Sequence, residues 1–153
     1  MKYYYNYRFP IGKLTIVEDG HGICGIHFHT QDKEIGLKRE TPIIQEAAYQ
    51  LTQYFEGERR AFDIPLSLHG TEFQKKVWKE LCDIPYGETC TYKDIAERIG
   101  IPKGCRAVGM ANNKNPIAIV IPCHRVIGVN GSLTGYAGGL DLKEYLLEFE
   151  KIH

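Results

Sequence analysis

At 153 residues, 43% of them hydrophobic and 25% charged, the chain is long enough for one ordinary core or two small lobes, and this balance excludes a fibrous or disordered protein. No apolar run approaches the roughly 20 residues that cross a bilayer, and the Met1-Lys2-Tyr3-Tyr4-Tyr5 start lacks a signal peptide's apolar core, so a cytoplasmic protein without membrane contact is expected. Its 19 basic and 19 acidic side chains cancel, which removes any global pull toward a polyanion and leaves that task to local charge.

The first third reads as strands: Tyr3 to Phe9, a turn at Pro10 to Gly12, Lys13 to Val17, a turn at Asp19-Gly20, then Gly22 to Phe28. Short segments separated by turn residues predict an antiparallel meander. In its third strand, alternation sets Cys24 with Ile26 and Phe28 on one face and His27 with His29 on the other. Ile43, Ala47, Leu51 and Tyr54 recur at helical spacing and predict one amphipathic helix packed on the sheet. These elements make a small α+β lobe over residues 1–68. The irregular stretch from Gly57 to Gly70 leads into a second lobe, residues 69–153.

Thr71-Glu72-Phe73-Gln74 has the form of a capping box, and Phe73, Val77, Trp78 and Leu81 then lie along one helical face, with a stop near Asp83 ahead of Pro85. Thr91 is a good N-cap for a short helix carrying Tyr92, Ile95, Ala96 and Ile99, which Gly100-Ile101-Pro102 breaks. A second short helix follows from about Lys103 to Asn112. Two such helices joined by a Gly-containing turn form a helix-turn-helix, although any two-helix packing unit has the same pattern. Between Arg98 and Asp141 there is no Asp or Glu, while Lys103, Arg106, Lys114 and Arg125 fall inside that window. Such a face suits a polyanion, or is an ordinary solvated surface. In the C-terminal helix Leu142, Leu146 and Phe149 mark the apolar face, and Glu150 lies on it. A carboxylate there is either half-buried with a partner or frayed into solvent.

The apolar run Ile117-Ala118-Ile119-Val120-Ile121 reads as a buried strand that ends in Pro122-Cys123-His124-Arg125-Val126. A thiolate is the strongest nucleophile among ordinary side chains at neutral pH, and a neighbouring imidazole can take its proton. Adjacent side chains on a regular strand face opposite ways, so Cys123 and His124 cooperate only if the chain bends there or a water bridges them. Pro122 lacks a ladder donor and ends the regular strand. The alternative is a buried structural cysteine. Five cysteines, an odd number without close pairs, suit a reducing compartment, and Cys82, Cys90 and Cys105 read as packing residues.

This run, with Asn115-Pro116 upstream, Gly135-Tyr136-Ala137-Gly138-Gly139-Leu140 downstream, and Tyr86-Gly87-Glu88-Thr89 and Thr91-Tyr92 earlier, resembles the active-site motif of the O6-alkylguanine-DNA alkyltransferases, also called methylated-DNA-protein-cysteine methyltransferases. The resemblance is strong from Thr71 to the C-terminus, and Pro10-Ile11-Gly12-Lys13-Leu14 looks like the family's N-terminal part. It implies an α+β fold, with a ribonuclease H-like antiparallel-sheet lobe and a mostly helical DNA-binding domain that holds the helix-turn-helix and the active-site cysteine.

The activity it implies is direct-reversal repair by a monomer without a cofactor. A lesion base flips out of double-stranded DNA, and the alkyl group of O6-alkylguanine, or of O4-alkylthymine, moves irreversibly to Cys123, once per molecule. The family's cysteine-histidine-glutamate relay falls on Cys123, His124 and Glu150. Asn115 matches a residue that orders this network through its amide, and Tyr92 one that donates to N3 of the departing guanine. Arg106 corresponds to the arginine that fills the vacated stack, on a helix that enters the minor groove, and Lys103, Thr91 and Arg125 are assigned to DNA with it. Val126, Tyr136 and Ala137 are assigned to the base pocket, where Ala137 replaces the serine of many members and loses a hydroxyl near O6.

A non-catalytic alkyltransferase-like damage binder is the alternative, but those relatives replace the reactive cysteine, commonly with tryptophan. A cysteine hydrolase would need an oxyanion hole and a histidine in direct contact. Some family members bind zinc in the N-terminal lobe, and His21, Cys24, His27 and His29 are close in sequence. Only Cys24 falls at a ligand position, so no metal is expected.

Overall fold

A computed structural model describes residues 1–28 and 36–153. The chain divides into two compact units, residues 1–69 with 116–118, and residues 70–115 with 119–153.

In the first unit β1 (Tyr3–Phe9), β2 (Gly12–Glu18) and β3 (Ile23–His27) form the antiparallel meander. A short β4 (Leu37–Lys38) adds to the far side of β1 in parallel, giving the order β3-β2-β1-β4. Two residues carry no periodic signal, which is why the sequence does not announce this strand. Nor does β3 alternate as expected. Its register skips Cys24, pairing Val17 with Gly25 and Glu18 with Ile23, and this bulge buries Ile23, Gly25 and Ile26 while leaving Cys24 and His27 half-buried. His29 lies outside the described residues. Part of the stretch read as irregular runs beside β3, where Ile23 N–H donates to Pro65 O at 2.9 Å and Ser67 N–H to Ile23 O at 2.8 Å.

Helix α1 (Pro42–Phe55) starts on Thr41, whose hydroxyl accepts from Ile44 N–H, and it packs on β1 to β3. It buries Ile44, Ala47, Leu51 and Tyr54, and β2 buries Leu14 and Ile16. Ile43, assigned to that face by spacing, is half-buried because Ile44 takes the inward position.

The second unit contains α2 (Glu72–Cys82), α3 (Tyr92–Arg98), α4 (Cys105–Asn113) and α5 (Leu140–Ile152). The Thr71–Gln74 capping box is present in both directions, and Thr91 and Asp94 form a second one on α3. Trp78 donates its indole N–H to Ala111 O at 2.9 Å, tying α2 to α4. Helix α4 starts two residues after the expected Lys103, since Gly104 N–H closes a turn on Ile101 O at 2.7 Å and leaves Lys103 in the connection.

The run Ile117 to Ile121 is not a strand. Ile117 alone bridges to Ile26, and turns follow in which Ile119 adopts a φ of 71°. Ile117, Ile119 and Ile121 are apolar because they are buried, and burial by itself does not distinguish a strand from a coiled passage through a core. After Pro122 the chain makes one 3-10 turn, Cys123–Arg125, then β6 (Val126–Ile127), which pairs in parallel with β5 (Cys90–Thr91).

Candidate active site

The 3-10 turn replaces strand geometry at Cys123 and His124, so their side chains are not forced onto opposite faces. Cys123 N–H donates to Ile121 O at 2.8 Å, Arg125 N–H to Pro122 O at 3.0 Å, and Val126 N–H to Cys123 O. The side chains of the whole turn are buried. Pairing of Cys90 with Val126 and of Thr91 with Ile127 anchors the start of α3, and therefore Tyr92, beside it.

Helix α5 brings the opposing charge. Lys143, Leu146 and Glu150 are its buried residues and share one face. The Glu150 carboxylate accepts from His124 Nε2 at 2.7 Å, from Arg125 Nε at 2.8 Å and Nη2 at 3.0 Å, and from Gly87 N–H at 3.3 Å. Burial pushes its carboxyl up, but the hydrogen bonds from His124 and Arg125 outweigh burial and hold it well below the usual carboxylate range. An ionised carboxylate only accepts, so the Nε2 of His124 carries hydrogen. Burial also pushes His124 below the ordinary imidazole value, against the opposing hydrogen bond to Glu150. The ring is therefore neutral at pH 7 and presents Nδ1 as a bare lone pair, an atom with no hydrogen-bond partner among the described residues. Burial raises the Cys123 thiol, while a hydrogen bond from the Asn115 side chain and the charge of Lys143 pull it down. The Asn115 amide also donates to Ile121 O at 2.8 Å, which fixes its orientation.

Arg125 does not belong with the DNA contacts. It is buried, its guanidinium is bonded twice to Glu150, Nη1 donates to Ile84 O at 2.8 Å, and the ring of Tyr86 lies 5.6 Å away. It has no exposed face for a phosphate and serves instead to keep Glu150 ionised. A window of like charges in the sequence cannot separate a buried guanidinium from an exposed one. Gly87, part of the quoted Tyr86-Gly87-Glu88-Thr89 run, has a φ of 79°, and a Cβ there would stand 3.3 Å from Glu150 O.

The loop before α5 closes over the other end of the site. Tyr92 Oη donates to Thr134 O at 3.2 Å and accepts from Thr134 Oγ1 at 3.2 Å. Lys143 Nζ donates to the same carbonyl at 2.8 Å and lies 6.0 Å from the centre of the Tyr92 ring. Lys143 escaped the sequence reading, yet the signal was there: it shares the spacing of Leu146 and Glu150 on the apolar stripe. The Tyr136 phenol oxygen is buried, and burial with the nearby charges of Cys123 and Glu150 pushes its pKa well up. Val126 is buried and Ala137 exposed. Lys103, Arg106 and Lys114 are exposed on and around α4, and the Thr91 hydroxyl accepts from Asp94 N–H as the cap of α3. Among the described residues no group of three or more His, Cys, Asp or Glu side chains is arranged to hold a metal.

The family model described as 6-O-methylguanine DNA methyltransferase, DNA binding domain, matches residues 72–152, and that described as 6-O-methylguanine DNA methyltransferase, ribonuclease-like domain, matches residues 2–68. The chain belongs to this family. A methylated-DNA--protein-cysteine methyltransferase of Methanosarcina acetivorans is 51% identical over 152 residues, covering 97% of each chain. The constitutive methylated-DNA--protein-cysteine methyltransferase of Bacillus subtilis is 47% identical over 161 residues, covering 99% of this chain and 97% of its own. Among solved structures, Mycobacterium tuberculosis OGT in complex with DNA matches with a TM-score of 0.92 at 47% identity, over 98% of this chain and 93% of that one. The expected α+β fold with a ribonuclease-like first part agrees with these matches. Among the described residues no helix is long and apolar enough to cross a membrane.

Proposed function

We propose that this protein repairs double-stranded DNA by direct reversal, moving the alkyl group of an O6-alkylguanine, or of an O4-alkylthymine, to the sulfur of Cys123. The observation that carries this reading is a buried thiol followed by a neutral imidazole whose other nitrogen is held by an ionised carboxylate. His124 Nδ1 takes the thiol proton through a water, and the imidazolium so formed donates Nε2–H to Glu150. The thiolate attacks the alkyl carbon. The S–C bond forms, the C–O6 bond breaks with its electron pair on the base, and the base recovers the proton, so thiol plus alkylguanine gives thioether plus guanine. No thiolate remains, and each molecule acts once.

Tyr92 donates to N3 of the departing base after its hydroxyl turns from Thr134 O, which keeps its bond from Lys143. Asn115 orders the thiol, and Val126, Tyr136 and Ala137 wall the pocket. Exposed Arg106, with Lys103 and Thr91, engages DNA from the helix-turn-helix, and Arg106 fills the stack the base leaves. In this reading residues 69–153 form the DNA-binding, alkyl-accepting domain and residues 1–68 the N-terminal lobe of a cytoplasmic monomer. The match to an OGT bound to DNA supports the partner. The non-catalytic reading requires the cysteine to be replaced, and Cys123 is present.

Intact and peptide mass spectrometry after mixing with excess duplex carrying one O6-methylguanine tests the proposal. The expected result is one methyl on the peptide holding Cys123, saturating at one per protein. Tight lesion binding without mass gain would return the damage-sensor reading.

A further inference from the structure

We infer that the Thr134 hydroxyl is a positioning group for the transfer step, donating to the Tyr92 phenol oxygen so that the phenol proton is aimed at the departing base. The inference rests on Tyr92 acting as the donor to N3 in the proposed reaction. A phenol has one hydrogen to give and oxygen lone pairs to receive, and in the free protein Thr134 engages both: Tyr92 Oη donates to Thr134 O and accepts from Thr134 Oγ1, each at 3.2 Å. Only one of these bonds competes with the base. Donation to N3 uses the single phenol proton and so releases the Thr134 carbonyl, whereas the bond from Oγ1 ends on a lone pair and survives.

The carbonyl loses little in that exchange. Lys143 Nζ already donates to it at 2.8 Å, a shorter bond than the one from Tyr92. Both bonds to the phenol oxygen exceed the range of about 2.5–3.0 Å usual for hydroxyl pairs, which suits contacts that tighten only once substrate is bound. With the base in place the donors run in order, Thr134 O–H to Tyr92 Oη and Tyr92 O–H to N3, and each polarises the next. As the C–O6 bond breaks, charge develops on the base, the phenol proton is drawn toward N3, and the Thr134 hydroxyl steadies the oxygen behind it.

The two hydroxyls are mounted separately. Pairing of β5 with β6 fixes the start of α3 and with it Tyr92, and a β-carbon on Gly109 of α4 would lie 3.9 Å from the Tyr92 ring, at ordinary contact. Thr134 is held through its carbonyl by Lys143 and through the seat of its neighbour. Gly135 has a φ of 49°, and a β-carbon there would stand 2.9 Å from Asn113 Oδ1 at the end of α4. Thr134 is itself exposed, and among the described residues its hydroxyl bonds to Tyr92 alone, so removing that hydroxyl removes one bond and no packing.

The test compares two methyl donors for one sulfur. O6-methylguanine in a duplex needs its departing base stabilised, whereas iodomethane reports on the thiol alone, because the S–C bond forms as iodide leaves with the electron pair and no base takes part. Methyl on the peptide holding Cys123 is followed by mass spectrometry in single turnovers with saturating protein. Thr134→Val, which keeps the shape and the carbonyl, is expected to slow transfer from the duplex about three- to tenfold while lesion affinity and the iodomethane rate stay unchanged. Thr134→Ser is expected to restore the rate, and Thr134→Val to add nothing in a Tyr92→Phe protein. A wild-type rate in Thr134→Val, equal slowing with both donors, or full additivity with Tyr92→Phe overturns the inference. If wild-type Cys123 takes methyl from iodomethane and none from lesion DNA, the proposed function fails and the inference falls with it.

Discussion

His69 and His124 each meet a carboxylate oxygen at 2.7 Å, one in the first unit and one in the second, and the two pairs are chemically unlike. The side chains of His69 and Asp19 are 67% and 9% exposed, whereas those of His124 and Glu150 are 0% and 1% exposed. Asp19 Oδ2 also accepts from Ser67 Oγ at 2.6 Å, and Oδ1 accepts from the N–H groups of His21 and Gly22. Residue types alone would suggest a Ser-His-Asp nucleophile, and Ser67 Oγ lies 3.2 Å from His69 Nε2, yet that nitrogen and the serine hydroxyl both donate to Asp19 Oδ2, so His69 turns no bare lone pair toward the serine. That cluster clamps the β2–β3 turn to the strand-like stretch ahead of His69. Around Glu150 the same bond is buried, its carboxylate is balanced by Arg125, and the bare imidazole nitrogen belongs to a residue next to a thiol. Burial and the third partner, rather than the pair itself, separate a clamp from a base.

The strongest test of that distinction is Glu150→Gln. Removing one partner of a buried ion pair costs about 3–5 kcal/mol, read by denaturant unfolding, and losing the oriented base slows alkyl transfer by about 10²–10⁴-fold, read by single-turnover quench. A variant with wild-type stability would mean that Glu150 does not carry a buried charge.

Acid pH should sharpen the contrast next. His124 titrates below its ordinary value in the fold, so the unfolded chain binds a proton that the fold refuses, and stability declines as pH falls below about 6.5. Glu150 is depressed in the fold, and its share is present above the unfolded value of about 4.3 and lost as pH falls toward the folded one. His27 is lowered by burial and by Lys2 and acts in the same sense as His124. Urea midpoints compared between wild type and His124→Gln should therefore diverge in slope between about pH 7 and 5, and parallel curves would remove His124 from the account.

Smaller effects follow at the rim. Gly87→Ala forces a β-carbon onto a residue with positive φ beside Glu150 O and is expected to cost about 1 kcal/mol, with a fall in transfer rate if Glu150 shifts with it. Asp19→Asn weakens the exposed clamp, is expected to cost about 1 kcal/mol by thermal unfolding, and should leave transfer unchanged. A cost equal to that of Glu150→Gln would erase the distinction between the two clusters.

Elements whose signal is local were legible in the sequence. The capping box at Thr71, the N-cap at Thr91 and the apolar faces of α1 and α2 each depend on residues within a few positions of one another. The meander was equally readable from its turns, and the Cys123 run from its neighbours. Tertiary structure decided what depends on distant partners. It bent the Ile117 to Ile121 run into turns, bulged β3 at Cys24, and paired β5 with β6. It also turned Arg125 inward and buried Lys143, because the charge a side chain carries is written in the chain, whereas its solvation is set by whatever packs over it, for Arg125 the helix that carries Glu150 and for Lys143 the loop that carries Thr134.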